Sequence, residues 1–112
     1  MSAVTTHVLD AARGRPAVGM GVRLERVGDA GAAQVLGEGR TDGDGRVRDL
    51  APGSLPAGSY RLVFDTGAWF AAAGRTSFYP EVAVTFAVDD DSGHHHVPLL
   101  LAPFAYSTYR GS

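Results

Sequence analysis

An all-β sandwich is the fold class that this sequence predicts, on three observations. Short runs in which apolar and polar residues alternate recur along the chain. The connectors between them are short and rich in Gly, Pro and Asp. One stretch alone, Ala68 to Ala73, has a helical make-up. The 112 residues fit a single domain over 1–112, long enough to bury about two-thirds of the surface of the unfolded chain.

Taken in order, the first strand runs from Val4 to Asp10. Val4, Thr6 and Val8 share one face, and Thr5, His7 and Leu9 share the other. Met20 to Val27 alternates more cleanly, with Met20, Val22 and Leu24 opposed by Arg23 and Glu25. A weaker strand spans Gln34 to Arg40. Thr41-Asp42-Gly43-Asp44-Gly45-Arg46 reads as a tight turn, because its glycines tolerate positive φ. Arg46 to Leu50 is expected as a short strand, and Ala51 to Gly58 as a Pro- and Gly-rich loop. Tyr60, Leu62 and Phe64 mark the next strand. The helix at Ala68 to Ala73 is ended by Gly74. Pro80 opens the strand Val82 to Val88, and Asp89-Asp90-Asp91-Ser92-Gly93 turns the chain. His94 to Leu101 and Ala105 to Arg110 are the last two strands, joined at Pro103.

Composition narrows the function classes. A net charge of −2 gives no electrostatic case for nucleic acid or for an anionic membrane. The absence of cysteine removes disulfides, thiolate nucleophiles and thiolate metal sites, and suits a reducing cytoplasm. No apolar stretch approaches the roughly 20 residues that span a bilayer. Met1 leads directly into a strand-like segment with no signal-peptide pattern, so a cytoplasmic location is expected. All ten basic residues are arginine, and isoleucine and asparagine are absent. The codons of lysine, isoleucine and asparagine are A/T-rich, so a GC-rich bacterial source is expected.

The penultimate strand carries an assembly signal. His95, Val97, Leu99 and Leu101 point one way, and His96, Pro98 and Leu100 the other. Both faces of its second half are apolar, whereas a two-sheet sandwich buries one face of each strand. The second face is therefore expected to meet another subunit. His96 stands where that face turns polar, and His7 lies on the less apolar side of its own strand. Taken singly, His7 reads as a structural hydrogen-bonding residue and Arg46 as a solvated arginine after a turn. His94 and His96 share a face about 7 Å apart, a spacing that suits a chelating pair with His7 as third ligand. Arg46 would set a fixed cation beside such a metal. The Asp42 to Gly45 turn lacks the further carboxylates of a calcium loop.

Three stretches agree in order and spacing: Thr5-Thr6-His7-Val8-Leu9-Asp10, His96-Val97-Pro98-Leu99-Leu100-Leu101, and the ending Tyr109-Arg110-Gly111-Ser112. Together they resemble the 5-hydroxyisourate hydrolases, also called transthyretin-like proteins, over nearly the whole chain. Phe78-Tyr79-Pro80-Glu81 is similar to that family as well, as architecture between helix and strand. The resemblance implies a transthyretin-like sandwich of two four-stranded sheets with one short helix. It implies a homotetramer, a dimer of dimers, with active sites at the dimer–dimer interface. It implies catalytic roles for His7, Arg46 and His96, and a pocket lined by Tyr109, Arg110, Gly111 and Ser112, of which Ser112 has the more structural character. No metal or other cofactor is implied.

The implied reaction is hydrolysis of 5-hydroxyisourate to 2-oxo-4-hydroxy-4-carboxy-5-ureidoimidazoline in purine catabolism. Opening a ring amide needs a base for water and a stabiliser for oxyanion charge. Histidine exchanges protons near neutral pH, and arginine presents a planar fork of donors to an electron-rich carbonyl. The histidine run beside an acidic turn reads as polar surface, His94 and His95 are expected not to be catalytic, and His95 stands where the family often has an aromatic residue. The alternatives are a transthyretin-like carrier of a small ligand, for which the His and Arg set is too polar, and an adhesive β-sandwich module, which leaves the outward histidines unexplained.

Overall fold

A computed structural model describes residues 2–89 and 93–112. The acidic turn expected at Asp89 to Gly93 falls largely on residues 90–92, outside the described residues. Among the described residues, nine strands and one α-helix follow one another: β1 (Val4–Asp10), β2 (Arg15–Pro16), β3 (Gly21–Val27), β4 (Ala33–Arg40), β5 (Arg46–Val47), β6 (Gly58–Phe64), α1 (Thr66–Ala72), β7 (Val82–Val88), β8 (His95–Ala102) and β9 (Ala105–Thr108). A single 3₁₀ turn at Asp29–Gly31 separates β3 from β4. Among the described residues, no helix is long and apolar enough to cross a membrane.

The strands form two packed sheets. One is ordered β4-β3-β6-β7 and is antiparallel throughout. The other is ordered β2-β1-β8-β9, with β5 also on β1. Each sheet thus has four strands along its path, and the second gains β5 because β1 is long enough for two short partners. β2 pairs with Leu9 and Asp10, and β5 with Thr6 and His7. β1 and β8 run parallel, with Val4 opposite His95 and Asp10 opposite Leu101.

The alternation of β1 is realised, with Val4, Thr6, Val8 and Asp10 buried and Thr5, His7 and Leu9 half-exposed. The core between the sheets holds Val4, Val8, Leu24, Leu62, Phe64 and Leu99, all fully buried. At that scale of burial each large side chain contributes roughly 1.5–3 kcal/mol. Three elements differ in extent from expectation. The strand at Arg46 stops after Val47, because Leu50 turns into the core and Pro52 crosses to accept the Ala3 N–H at 2.7 Å. The helix starts at Thr66, whose hydroxyl donates to the Tyr79 carbonyl at 3.1 Å. It ends as expected at Gly74, where the Arg75 N–H reaches back to the Phe70 carbonyl at 3.0 Å. The ladder of β9 ends at Thr108, but a separate bridge joins Gly111 to His96.

The two outward faces are chemically unlike. On the β4-β3-β6-β7 sheet, Glu25 lies between Arg23 at 2.7 Å and Arg61 at 2.8 Å. On the other sheet, Thr5, His7, Leu9, His96, Pro98 and Leu100 form a mixed face of imidazoles and apolar groups.

Candidate active site

The outward face of the β1–β8 pair is built by register. His7 stands opposite Arg46 on one side and Pro98 on the other. Thr5 stands opposite His96. Adjacent strands lie about 4.8 Å apart, so Arg46, His7 and Pro98 form one row and Thr5 and His96 the next.

Arg46 is held there by the turn before it. The Asp42 carboxylate accepts the backbone N–H groups of Asp44 at 2.9 Å and Arg46 at 3.0 Å. Those two bonds hold the Asp42 carboxyl below its usual pKa. Gly45 adopts φ +79°, a left-handed conformation in which side chains are strained. A Cβ at Gly45 would also collide with the Val8 carbonyl. The Gly45 carbonyl accepts the Val8 N–H at 2.7 Å, which fastens the turn to β1 and delivers Arg46 beside His7. The Asp42 carboxylate is thus committed to the backbone.

His96 is half-buried, and its Nδ1 lies 2.9 Å from Thr5 Oγ1. The same oxygen lies 2.8 Å from Nε2 of exposed His94, and the two imidazoles stack at 6.3 Å and 19°. Burial lowers the His96 pKa, and the nearby Arg46 cation, His94 and His7 lower it further against an opposing hydrogen bond to the Thr5 backbone. The neutral imidazole is therefore the favoured form of His96. Beside it, Ser2, Thr5, Arg46, Arg48 and His94 help to line a cleft of about 420 Å³.

The C-terminal residues cross this face. The Gly111 N–H donates to the His96 carbonyl at 2.8 Å. A Cβ at Gly111 would lie 2.5 Å from His96 Cδ2, well inside van der Waals contact, so only glycine lets the chain pass over the ring. The bridge at Gly111 shares the register of the β8–β9 ladder, which sets Tyr109 opposite Pro98. Tyr109 and Ser112 are exposed. By register Arg110 alternates with Tyr109, yet both help to line one groove of about 350 Å³ with His96, His95, Val84 and Phe86.

The structure thus brings together His7, Arg46, His96 and Gly111, and sets Tyr109 and Arg110 with His96 around one groove. His95 is buried between the sheets, 6.4 Å from Phe86 between ring centroids, and its Nδ1 has no hydrogen-bond partner among the described residues. It was expected at the surface; the alternation that turns His96 outward turns His95 in. Sequence reasoning did not single out Thr5 or Arg48. Alternation had placed Thr5 on the face of His7, but its apposition to His96 depends on pairing across 91 residues. Among the described residues, no group of three or more His, Cys, Asp or Glu side chains is placed to hold a metal ion.

Comparison with known proteins bears on the fold and the family. Residues 4–111 match the HIUase/Transthyretin family. The chain is 49% identical to a 5-hydroxyisourate hydrolase of Caulobacter vibrioides, with all of both chains covered. It superposes on the solved 5-hydroxyisourate hydrolase of Klebsiella pneumoniae with a TM-score of 0.86 at 42% identity, covering 97% of this chain and 98% of that one. It also superposes on a sea bream transthyretin solved in complex with thyroxine, with a TM-score of 0.89 at 30% identity, covering 97% and 94%.

Proposed function

The chain belongs to the HIUase/Transthyretin family, and on that premise we propose that it is a hydrolase that opens the ring of 5-hydroxyisourate to give 2-oxo-4-hydroxy-4-carboxy-5-ureidoimidazoline, a step of purine catabolism. The overall fold does not choose between enzyme and carrier, since both kinds of relative superpose well. The observation that carries the choice is the outward row of His7 and Arg46 with His96 beside it. A carrier of an aromatic hormone calls for an apolar channel, and this face offers two imidazoles and a guanidinium.

Neutral His96 is suited to take a proton from water as the oxygen attacks the ring carbonyl. The C–O bond forms, the ring C–N bond breaks, and the proton passes to the departing nitrogen. Arg46 and His7 orient the carbonyl and stabilise the oxyanion. Tyr109, Arg110, Gly111 and Ser112 close the pocket. No metal or other cofactor enters. The working form is a cytoplasmic homotetramer, a dimer of dimers. In support, Leu9 and Leu100 face outward beside the site, and Phe104 and Tyr109 are 63% and 58% exposed.

The test is to generate 5-hydroxyisourate with urate oxidase and follow its ultraviolet decay with and without the protein, after exhaustive chelation. Acceleration well above the spontaneous rate is expected. Loss of activity on chelation with recovery on adding zinc would reject the metal-free mechanism. Tight thyroxine binding without acceleration would favour the carrier.

A further inference from the structure

Thr5 Oγ1 lies within hydrogen-bond distance of two imidazoles at once, His96 Nδ1 at 2.9 Å and His94 Nε2 at 2.8 Å. A hydroxyl has one proton to give. It donates to one ring and accepts from the other, so the protonation of the two histidines is linked. If His96 carries its proton on Nδ1, it donates to Thr5, and Thr5 donates to His94. If His94 carries its proton on Nε2, both bonds reverse. The first state leaves His96 Nε2 bare, as a base requires. The second puts a proton on Nε2, as an acid requires. The two ends differ in exposure: His96 is half-buried under Gly111, and His94 is open to solvent.

From this geometry we infer that Thr5 is a positioning residue that joins His96 to His94 in a proton relay. The inference rests on the hydrolase reading of the site. As water attacks, one proton enters His96 at Nε2 and one leaves from Nδ1 to Thr5 Oγ1. Thr5 passes its own proton to His94 Nε2, and His94 discharges one to solvent. When the ring nitrogen departs with the Nε2 proton, the relay runs back and restores the Nδ1 proton. Protons balance over the cycle, and no other reactant is needed.

The physical reason for such a relay is the charge already present. Arg46 on β5, His7 on β1 and His94 all bear on His96 and disfavour its cation. A base in that position works poorly if it must hold an imidazolium beside a guanidinium. Passing the Nδ1 proton outward lets it work as a neutral ring. His94, read from the sequence as polar surface, thereby acquires a role that its stacking on His96 already prepares.

Three variants test this in the tetramer. Thr5→Val keeps the shape and removes the hydroxyl, Thr5→Ser keeps the hydroxyl, and His94→Ala removes the outer acceptor. Thr5→Val and His94→Ala are each expected to lower kcat roughly tenfold or more, below the loss of a full acid–base group, with KM unchanged. Thr5→Ser is expected to restore most of kcat, and added imidazole to raise kcat of His94→Ala but not of the wild type. Wild-type kcat in Thr5→Val, or in His94→Ala at low buffer, would overturn the relay. A wild-type protein without activity would instead reject the hydrolase reading. The relay then has its own readout, the histidine ¹⁵N shifts. Thr5→Val is expected to change the tautomers of His94 and His96 together, and unchanged tautomers would overturn it.

Discussion

His96 shows how much one residue's surroundings decide. Burial, then Arg46, His94 and His7, hold its pKa below the ordinary 6.5. The charged form is disfavoured, so the base is neutral above that lowered value and is lost as pH falls through it. The acid limb of kcat/KM, which reports the free enzyme, is expected to have its midpoint below 6.5. Arg46→Gln removes a neighbouring cation and is expected to move that limb to higher pH while lowering kcat. A limb that stayed in place would separate Arg46 from His96. Next along the strand, His95 gives the opposite case. Its buried Nδ1 has no partner among the described residues, and a buried polar group left unsatisfied costs about 1–3 kcal/mol. His95→Phe is therefore expected to keep kcat and to raise the midpoint of denaturant unfolding. A loss of turnover comparable with that of His96→Ala would mean that His95, not His96, faces substrate.

At the scale of elements, the parallel β1–β8 pair is the frame on which the site stands. Asp10 ends β1 fully buried, paired with Arg75 after α1 at 2.7 Å. Burial pushes the Asp10 carboxyl up, but the hydrogen bond from Arg75, the backbone bonds from Arg13 and Ala12 and the Arg75 charge outweigh it and leave the pKa lowered. A depressed folded-state pKa means that the stabilisation is fully present above the unfolded value near 3.8 and is lost as pH falls through the folded one. Asp10→Asn is expected to flatten the acid limb of stability against pH. Arg75→Ala leaves a buried charge without its partner and is expected to cost roughly 3 kcal/mol or more by denaturant unfolding. A variant with an unchanged acid limb would show that the pair does not tie α1 to β1. Local pattern revealed these elements well, because β1, β7 and β8 alternate with a period of two. It missed where β5 stops, because Leu50 is drawn in by the core rather than by its neighbours in sequence. It gave His7 and Thr5 a common face, but it could not give the parallel pairing that sets Thr5 against His96, since nothing local encodes a partner so distant.

For the whole molecule, the C-terminal residues connect site and assembly. Gly111 is bonded to His96, and Tyr109 stands exposed on the ladder position opposite Pro98. Deleting Tyr109 to Ser112 is expected to leave a folded β protein that is inactive and shifted toward dimer in sizing with light scattering. Truncation removes a pocket wall and leaves buried partners unsatisfied, which costs more than the area lost. A truncated protein that stayed tetrameric with full turnover would reduce these residues to an edge cap. The most direct measurement of the central claim, that the outward face of β1, β5 and β8 performs hydrolysis, is the ultraviolet decay of 5-hydroxyisourate with wild type, His7→Ala and His96→Ala, each verified to have the same oligomeric state. Rapid decay with the wild type and a fall in turnover of roughly 10² or more in each variant are expected, the scale of a general acid–base group. Wild-type decay rates in both variants would contradict it.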